Sequence, residues 1–288
     1  MKKIAIASCQ KLPSFEKDDR FLFAALEKEG IEAHIHPWDA DVDWSLYDIC
    51  LIRTTWDYVP RWNEFIRWAR TVSHSTLLIN SPEIINWNVN KLYLRELSQK
   101  GVPIAPTIWC TEEIDIQKNL IEKGWNRGFL KPVIGACASD TLRFSIEEAA
   151  HAQEFLQQNL KRHPMILQPY IKTVEEEGEY STFYFGDTCT HFVQKVPPKG
   201  DYRVQDDFGA QDFAIKAIPE LQQLAQQALQ HIPYPWLYAR IDALRMSDGT
   251  WVLNELEMIE PSLFFRHAPD AAQILVQQMK IYHKNHAT

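Results

Sequence analysis

The sharpest chemical signal in this chain lies near its end, where Tyr238-Ala239-Arg240-Ile241-Asp242 and Val252-Leu253-Asn254-Glu255-Leu256-Glu257 read as two strands flanking the turn Ser247-Asp248-Gly249. Side chains alternate along a strand, so Arg240 and Asp242 share one face, and Glu255 and Glu257 share one face of the neighbour. Three carboxylates and a guanidinium in an otherwise apolar sheet are costly to bury without a partner. Mg²⁺ is a natural partner, a hard cation that takes oxygen ligands and is readily shared between carboxylates and substrate phosphates. Arg240 would then stabilise charge on a transferring phosphoryl group. A polar outer face of an antiparallel hairpin is the other reading of the same residues.

Two lysines and two short segments add to this. Phe129-Leu130-Lys131-Pro132-Val133 is an apolar strand ending in a lysine, followed by a loop of small residues from Gly135 through Ala136 and Cys137 to Ser139. Small side chains let backbone N–H groups approach polyphosphate oxygens, and the ammonium meets their charge. The spacing is not that of a P-loop, which needs GxxxxGK[ST]. Lys91 follows Asn86-Trp87-Asn88-Val89-Asn90 at the start of an expected helix. Met165–Gln168 runs through Pro169 into Tyr170 and Ile171, where unpaired backbone could meet an adenine edge. The acids Glu175 to Glu179 follow, and one could accept ribose hydroxyls. Each of these also has an ordinary reading as a surface lysine or a solvated acidic turn.

The elements that must position these residues fall into three stretches. From Met1 to Asn80, strands at Lys3–Ser8, Ile31–His36, Ile49–Arg53 and Thr76–Asn80 alternate with helices at Phe21–Glu29 and Arg61–Val72. That alternation predicts a mostly parallel, doubly wound α/β sheet, without the GxGxxG of a dinucleotide site. Residues 81–168 open with the helix-start pair Ser81-Pro82, continue in a helix over Asn90–Lys100, and form a smaller α/β unit. Its helices are expected near 112–123 and 146–159, the latter with a Ser145-x-x-Glu148 capping box. Residues 169–288 are richer in antiparallel signals, an α+β pattern with a hairpin at Gly186-Asp187, a polar loop over 197–213 and helices near 219–231 and 270–283. Open α/β sheets bind ligands beyond the carboxyl ends of their strands, which nominates Ser8, Cys9, Arg53, Trp56, Asp57 and Tyr58 as substrate contacts.

Composition narrows the function classes. The chain of 288 residues is 45% hydrophobic and 24% charged, with a formal net charge of -8 and scattered Lys and Arg, so no nucleic-acid footprint is expected. The five cysteines show neither CxxC spacing nor a disulfide rhythm. The first apolar run ends at Cys9-Gln10-Lys11, short of a signal-peptide core, and no run approaches a membrane span. A cytoplasmic protein with no membrane partner is the expectation.

The order Lys91, Lys131 with its small-residue loop, Gln168–Ile171, Arg240-Ile-Asp242 and Asn254-Glu255-Leu-Glu257 resembles the ATP-grasp superfamily over about residues 81–265. D-alanine–D-alanine ligase, glutathione synthetase and ribosomal-protein glutamate ligase share that order. The resemblance implies a Rossmann-like domain ahead of two ATP-grasp lobes. It places Lys91, Lys131, Gly135, Ala136 and Ser139 at the ATP phosphates, and Gln168, Tyr170 and Ile171 at the adenine. Glu179, with Glu177, falls on the ribose side. Asp242, Glu255 and Glu257 fall on the metal, implying two Mg²⁺ ions, with Mn²⁺ as an alternative. Lys195-Val-Pro-Pro-Lys199-Gly-Asp-Tyr-Arg203 is similar to the basic loop that closes over phosphates in glutathione synthetase. That puts Lys195 on the nucleotide and Arg203 beside Arg240 and Lys131 in catalysis.

Thr55-Trp56-Asp57-Tyr58, Trp87-Asn88-x-Asn90-Lys91 and Ile259-Glu260-Pro261-Ser262-Leu263-Phe264 look like a glutathione-synthetase-like subgroup that includes cycloserine-forming cyclo-ligases, and Ser262 joins the substrate set on that ground. The implied activity is ATP-dependent carboxylate–amine ligation, or an intramolecular cyclisation, through an acyl phosphate with release of ADP and phosphate. The implied substrate is an amino acid or a small peptide-like acid, and the implied assembly a homodimer. A phosphotransferase on the same scaffold and a non-catalytic ATP-binding protein are the alternatives. The chain departs from relatives in having one glycine, Gly135, in the phosphate loop, and Glu257 where many carry Asn.

Overall fold

A computed structural model describes residues 1–12, 16–135 and 140–286. The first stretch forms β1 (Lys3–Ser8), α1 (Arg20–Lys28), β2 (Glu32–Pro37), β3 (Ile49–Thr54), α2 (Trp62–Ser73) and β4 (Leu77–Ile79), with the strands in the parallel order β2-β1-β3-β4. Period-two alternation divides β1 and β3 between two cores. Ile4, Ile6, Ile49 and Leu51 pack with Leu22 and Leu26 of α1. Ala5, Ala7, Cys50 and Ile52 pack with Phe65, Ile66 and Ala69 of α2. Burial on both faces is what a parallel sheet requires.

The second stretch forms α3 (Pro82–Asn88), α4 (Tyr93–Gln99), β5 (Ile108–Cys110), α5 (Ile116–Lys123), β6 (Arg127–Pro132), β7 (Leu142–Ser145), α6 (Ala149–Leu160) and β8 (Met165–Pro169). Its sheet runs β5-β8-β6-β7, antiparallel throughout. Ser81 caps α3 through the Ile84 N–H, and the Ser145–Glu148 box forms as its spacing implies. The helix expected over Asn90–Lys100 begins only at Tyr93. Lys91 instead sits in the preceding turn, where its N–H bonds the Val133 carbonyl at 2.7 Å.

The third stretch adds α7 (Thr173–Glu176), β9 (Glu179–Phe185), β10 (Thr188–Val196), β11 (Gln211–Ile215), α8 (Pro219–Leu229), β12 (Tyr238–Arg245), β13 (Trp251–Glu257) and α9 (Pro269–His286). The strands make one antiparallel sheet, β11-β10-β9-β12-β13. The end of the loop expected over 197–213 is thus ordered as β11, paired to β10. Gly178, at φ +80°, lets the chain pass close to its neighbour: a Cβ there would lie 2.0 Å from the Lys195 carbonyl oxygen.

Two connections lock the stretches together. The α9 face of Ala272, Leu275, Val276 and Met279 packs back onto the N-terminal core beside α1. Among the described residues the outer edge of β13 carries no further strand and is covered by one backbone bridge, the Leu253 N–H to the Pro103 carbonyl, and by side chains. Asn88 bonds the Leu256 carbonyl and the Met258 N–H, Tyr93 accepts from the Leu256 N–H, and Asn80 bonds the Met258 carbonyl. No helix among the described residues is long and apolar enough to cross a membrane.

Candidate active site

The three sheets meet around one cavity of about 400 Å³. Of the residues singled out from sequence, it is lined by Trp56, Tyr58, Lys91, Lys131, Gly135, Gln168, Tyr170, Ile171, Glu179, Lys195, Arg203, Arg240, Asp242, Glu255, Glu257 and Ser262. Positions scattered over some two hundred residues of chain are brought to one place.

The strand ladder sets the acids. Arg240 pairs with Glu257, and Asp242 with Glu255, directly across β12 and β13. On the other side Asp242 faces Ser181 of β9, and Glu179 faces Lys195 of β10. Cross-strand neighbours lie close enough to interact, and here they form a chain of ion pairs. The Arg240 guanidinium reaches Asp242 at 2.9 Å and also contacts Glu257. Lys195 donates to Glu179 at 2.6 Å and to Asp242 at 3.2 Å. Lys91 lies 2.8 Å from Glu255 and donates to the Gly135 carbonyl at 2.7 Å. Asn88, by docking α3 on β13, brings Lys91 to that position. Lys131, at the end of β6, donates to the Asn254 amide oxygen at 3.4 Å.

Burial raises the Asp242 carboxyl, but the Arg240 and Lys195 charges and the Ser181 hydroxyl outweigh it and hold it at about 2. Glu255 is likewise lowered, burial being outweighed by Lys91 and Lys131. Glu257 goes the other way, pushed up to about 7 by burial, with Arg240 only partly compensating for Asp242 and Glu255 beside it. Glu260, further along, rises to about 8 through burial and the same acidic neighbours. Burial brings Lys131 down to about 8.

Asp242, Glu255 and Glu257 do not converge as a ready-made cation cage. Among the described residues no three His, Cys, Asp or Glu side chains do so. Each acid is instead turned to a Lys or Arg. The donor set nonetheless fits a divalent cation: hard oxygens on facing positions of one strand pair, within a cavity lined by eight acids (Glu16, Glu179, Asp206, Asp207, Asp242, Glu255, Glu257, Glu260) and six cations (Lys91, Lys131, Lys195, Arg203, Arg240, Arg266). The upward shift of Glu257, caused first by burial, is enlarged by Asp242 and Glu255 beside it.

Among the described residues, five expected ones stand outside the cavity lining. Arg53 is buried, and its guanidinium is committed to Asp19 at 2.7 Å and to the Pro261 carbonyl at 2.9 Å, leaving nothing to clamp a substrate. Asp57 accepts from the Trp38 indole and pairs with Arg61. Glu177 lies near Arg245 rather than beside Glu179. Ala136 and Ser139 fall outside the described residues. Ser8 and Cys9 are buried under the first sheet, with Ser8 bonded to Thr54. Sequence reasoning passed over Ser181, which strand alternation on β9 could have supplied, and Glu260, which gave no periodic signal.

The comparisons with known proteins fall on this arrangement. The family model for the N-terminal domain of D-cycloserine synthetase DcsG matches residues 4–80. The cycloserine biosynthesis protein DcsG of Streptomyces lavendulae is 29% identical over 280 residues, covering 90% of this chain and 93% of that protein. A crystal structure of D-cycloserine synthetase DcsG superposes with a TM-score of 0.87 at 26% identity, over 98% of this chain and 99% of that one. The ATP-grasp ligase PsnB, complexed with a phosphomimetic variant of its minimal precursor, Mg and ADP, shares the fold. Its TM-score is 0.66 at 15% identity, over 96% of this chain and 98% of that one. Fold, relatives and the charged cavity agree: the chain has the fold of the ATP-grasp ligases and is similar over nine tenths of its length to a cycloserine biosynthesis protein.

Proposed function

We propose that this cavity activates a substrate carboxyl group as an acyl phosphate at the expense of ATP, after which an amine of the same or a second small molecule attacks it, releasing ADP and phosphate. The observation that carries this reading is the pairing of Arg240 with Glu257 and Asp242 with Glu255 across β12 and β13, opposite Lys91 and Lys131.

The cations have weak or replaceable partners, so an incoming triphosphate can exchange with them. Among the described residues Lys131 holds only a long bond to Asn254, and Lys91 holds Glu255 and the Gly135 carbonyl. Lys91 and Lys131 would take phosphate oxygens, which frees Glu255. Asp242, Glu255 and Glu257 would hold Mg²⁺, which when bound neutralises phosphoryl charge. Lys195 and Arg240 keep Asp242 ionised and oriented.

At the opposite end the Tyr170 N–H is taken by the Arg127 carbonyl, so an adenine edge would meet the Tyr170 carbonyl and the Ile171 N–H. Glu179, rather than Glu177, lies on the cavity to receive a ribose hydroxyl. Catalysis on this plan is positioning and electrostatics, with no side-chain nucleophile required.

The acceptor end is walled by Trp56, Tyr58 and Ser262, and an amino acid or a small peptide-like acid is the substrate class to test there. The relative named as a cycloserine synthetase makes an intramolecular closure the first reaction to test. ADP release is measured over amino acids, their O-substituted derivatives and short peptides, with product masses, for wild type and Glu255→Gln. Turnover in the variant should fall about 10²–10³-fold with an unchanged circular dichroism spectrum. Wild-type turnover in that variant would refute the metal and phosphate assignment.

A further inference from the structure

The segment after β13 belongs to no ladder, and the carbonyls of residues 260–263 are each held by a side chain from a different part of the fold. The Trp56 indole donates to the Glu260 carbonyl at 3.1 Å, Arg53 to Pro261 at 2.9 Å, Arg240 to Ser262 at 3.1 Å, and His191 bonds Leu263 at 2.9 Å. Asp18 then accepts the Phe265 and Arg266 N–H groups, each at 2.7 Å. Buried backbone groups need partners, but four donors from separate parts of the fold exceed what a simple connection demands. They fix one backbone conformation of residues 260–263, and with it the point from which the Glu260 side chain leaves the main chain.

Glu260 lines the acceptor end of the cavity with Trp56, Tyr58 and Ser262. Among the described residues it differs from the other deep acids. Glu179, Asp242, Glu255 and Glu257 each have a Lys or Arg within 4.0 Å, and Glu260 has no Lys, Arg or His within that distance. A carboxyl group without a counter-ion, raised to about 8 by burial, is stabilised in its ionised form by a compact cation arriving beside these two aromatic side chains.

We propose that Glu260 is the specificity-determining residue of the acceptor end, receiving a protonated primary amine of the substrate against Trp56 and Tyr58. This rests on the ligase reading for its direction: an ammonium held here marks the substrate as an amino acid or amino-acid derivative with its α-amine free, not an acylated one. The amine bound by Glu260 is a recognition handle, and the strap from Glu260 to Arg266 is the frame that aims it.

The test uses the full-length protein with Mg·ATP. α-Amino acids and their O-substituted derivatives are each paired with the N-acetyl form and assayed for ADP release. The same pairs are scored by thermal shift in the presence of Mg²⁺ and a non-hydrolysable ATP analogue. Wild type should turn over and bind the amines and not their N-acetyl partners. Glu260→Gln should raise KM about 10- to 100-fold with kcat changed less than about threefold, and Glu260→Asp should recover part of the loss. N-acetyl compounds used or bound as well as the amines, or an unchanged KM in Glu260→Gln, would overturn the assignment. Amine-selective thermal shifts that vanish in Glu260→Gln, without ADP release from any compound, would uphold the amine site while refuting ligation.

Discussion

At the end of the cavity proposed for the phosphates, Arg240, Asp242, Glu255 and Glu257 are set by a backbone ladder; at the proposed acceptor end, residues 260–263 have no ladder and hang from Trp56, Arg53, Arg240 and His191. The ladder exists whatever side chains it carries, so a charge there can be changed without unmaking the support. The strap is made of side chains, so changing one alters both the support and what it supports. Arg240 belongs to both, bonding Asp242 on one side and the Ser262 carbonyl on the other. It is the link through which the phosphate end and the acceptor end share a geometry.

Breaking the strap should show most in stability. Arg53 and Asp19 are each 3% exposed and bonded to one another. Arg53→Met leaves Asp19 buried without its cation and the Pro261 carbonyl without a donor. Unfolding free energy should drop by about 3–5 kcal/mol in urea titrations. A midpoint close to wild type would show that the strap is held by other means.

A smaller effect separates the two ends by pH. Burial pushes His191 down to about 4, while its bond to the Leu263 carbonyl acts weakly the other way. Because the folded value lies below the ordinary 6.5, the unfolded chain binds the proton more readily between those values. This contribution is fully present above pH 6.5 and is lost as pH falls towards 4, by about 3 kcal/mol in all. Urea midpoints of wild type and His191→Gln, followed over that interval, should diverge, with the variant flatter. Parallel curves would remove His191 from the strap.

The smallest expected change is at the ladder end. Lys131→Ala should weaken ATP binding by about 1.5–3 kcal/mol, with little loss of unfolding free energy, since burial already disfavours the charged amine there. Titration calorimetry with ATP checks the first part, and unchanged affinity would count against a phosphate role for Lys131.

The site divides by legibility along the same line. Arg240, Asp242, Glu255 and Glu257 could be read because a strand has period two and the Ser247–Gly249 turn fixes which strands face each other. Lys91 could be read as a residue but not as a geometry, because its turn is imposed by Asn88 docking on β13 rather than by helix propensity. Arg53 and Asp57 sat in the expected place at the end of β3, yet their partners, Asp19, Pro261, Trp38 and Arg61, claimed them. Glu260 carried no periodic signal at all.

From the residues alone came the α/β alternation of the first stretch, the antiparallel character of the last, the turns at Gly186 and Gly249 and the one-faced set of acids, since all of these are local consequences of backbone geometry and side-chain period. Which charges neutralise which was settled only in three dimensions. The Arg53 guanidinium spans 34 positions to Asp19 and 208 to Pro261, and Lys91 finds Glu255 across most of the chain. Electrostatic partnership depends on distance in space and on burial, and neither is written in the spacing of residues along a strand.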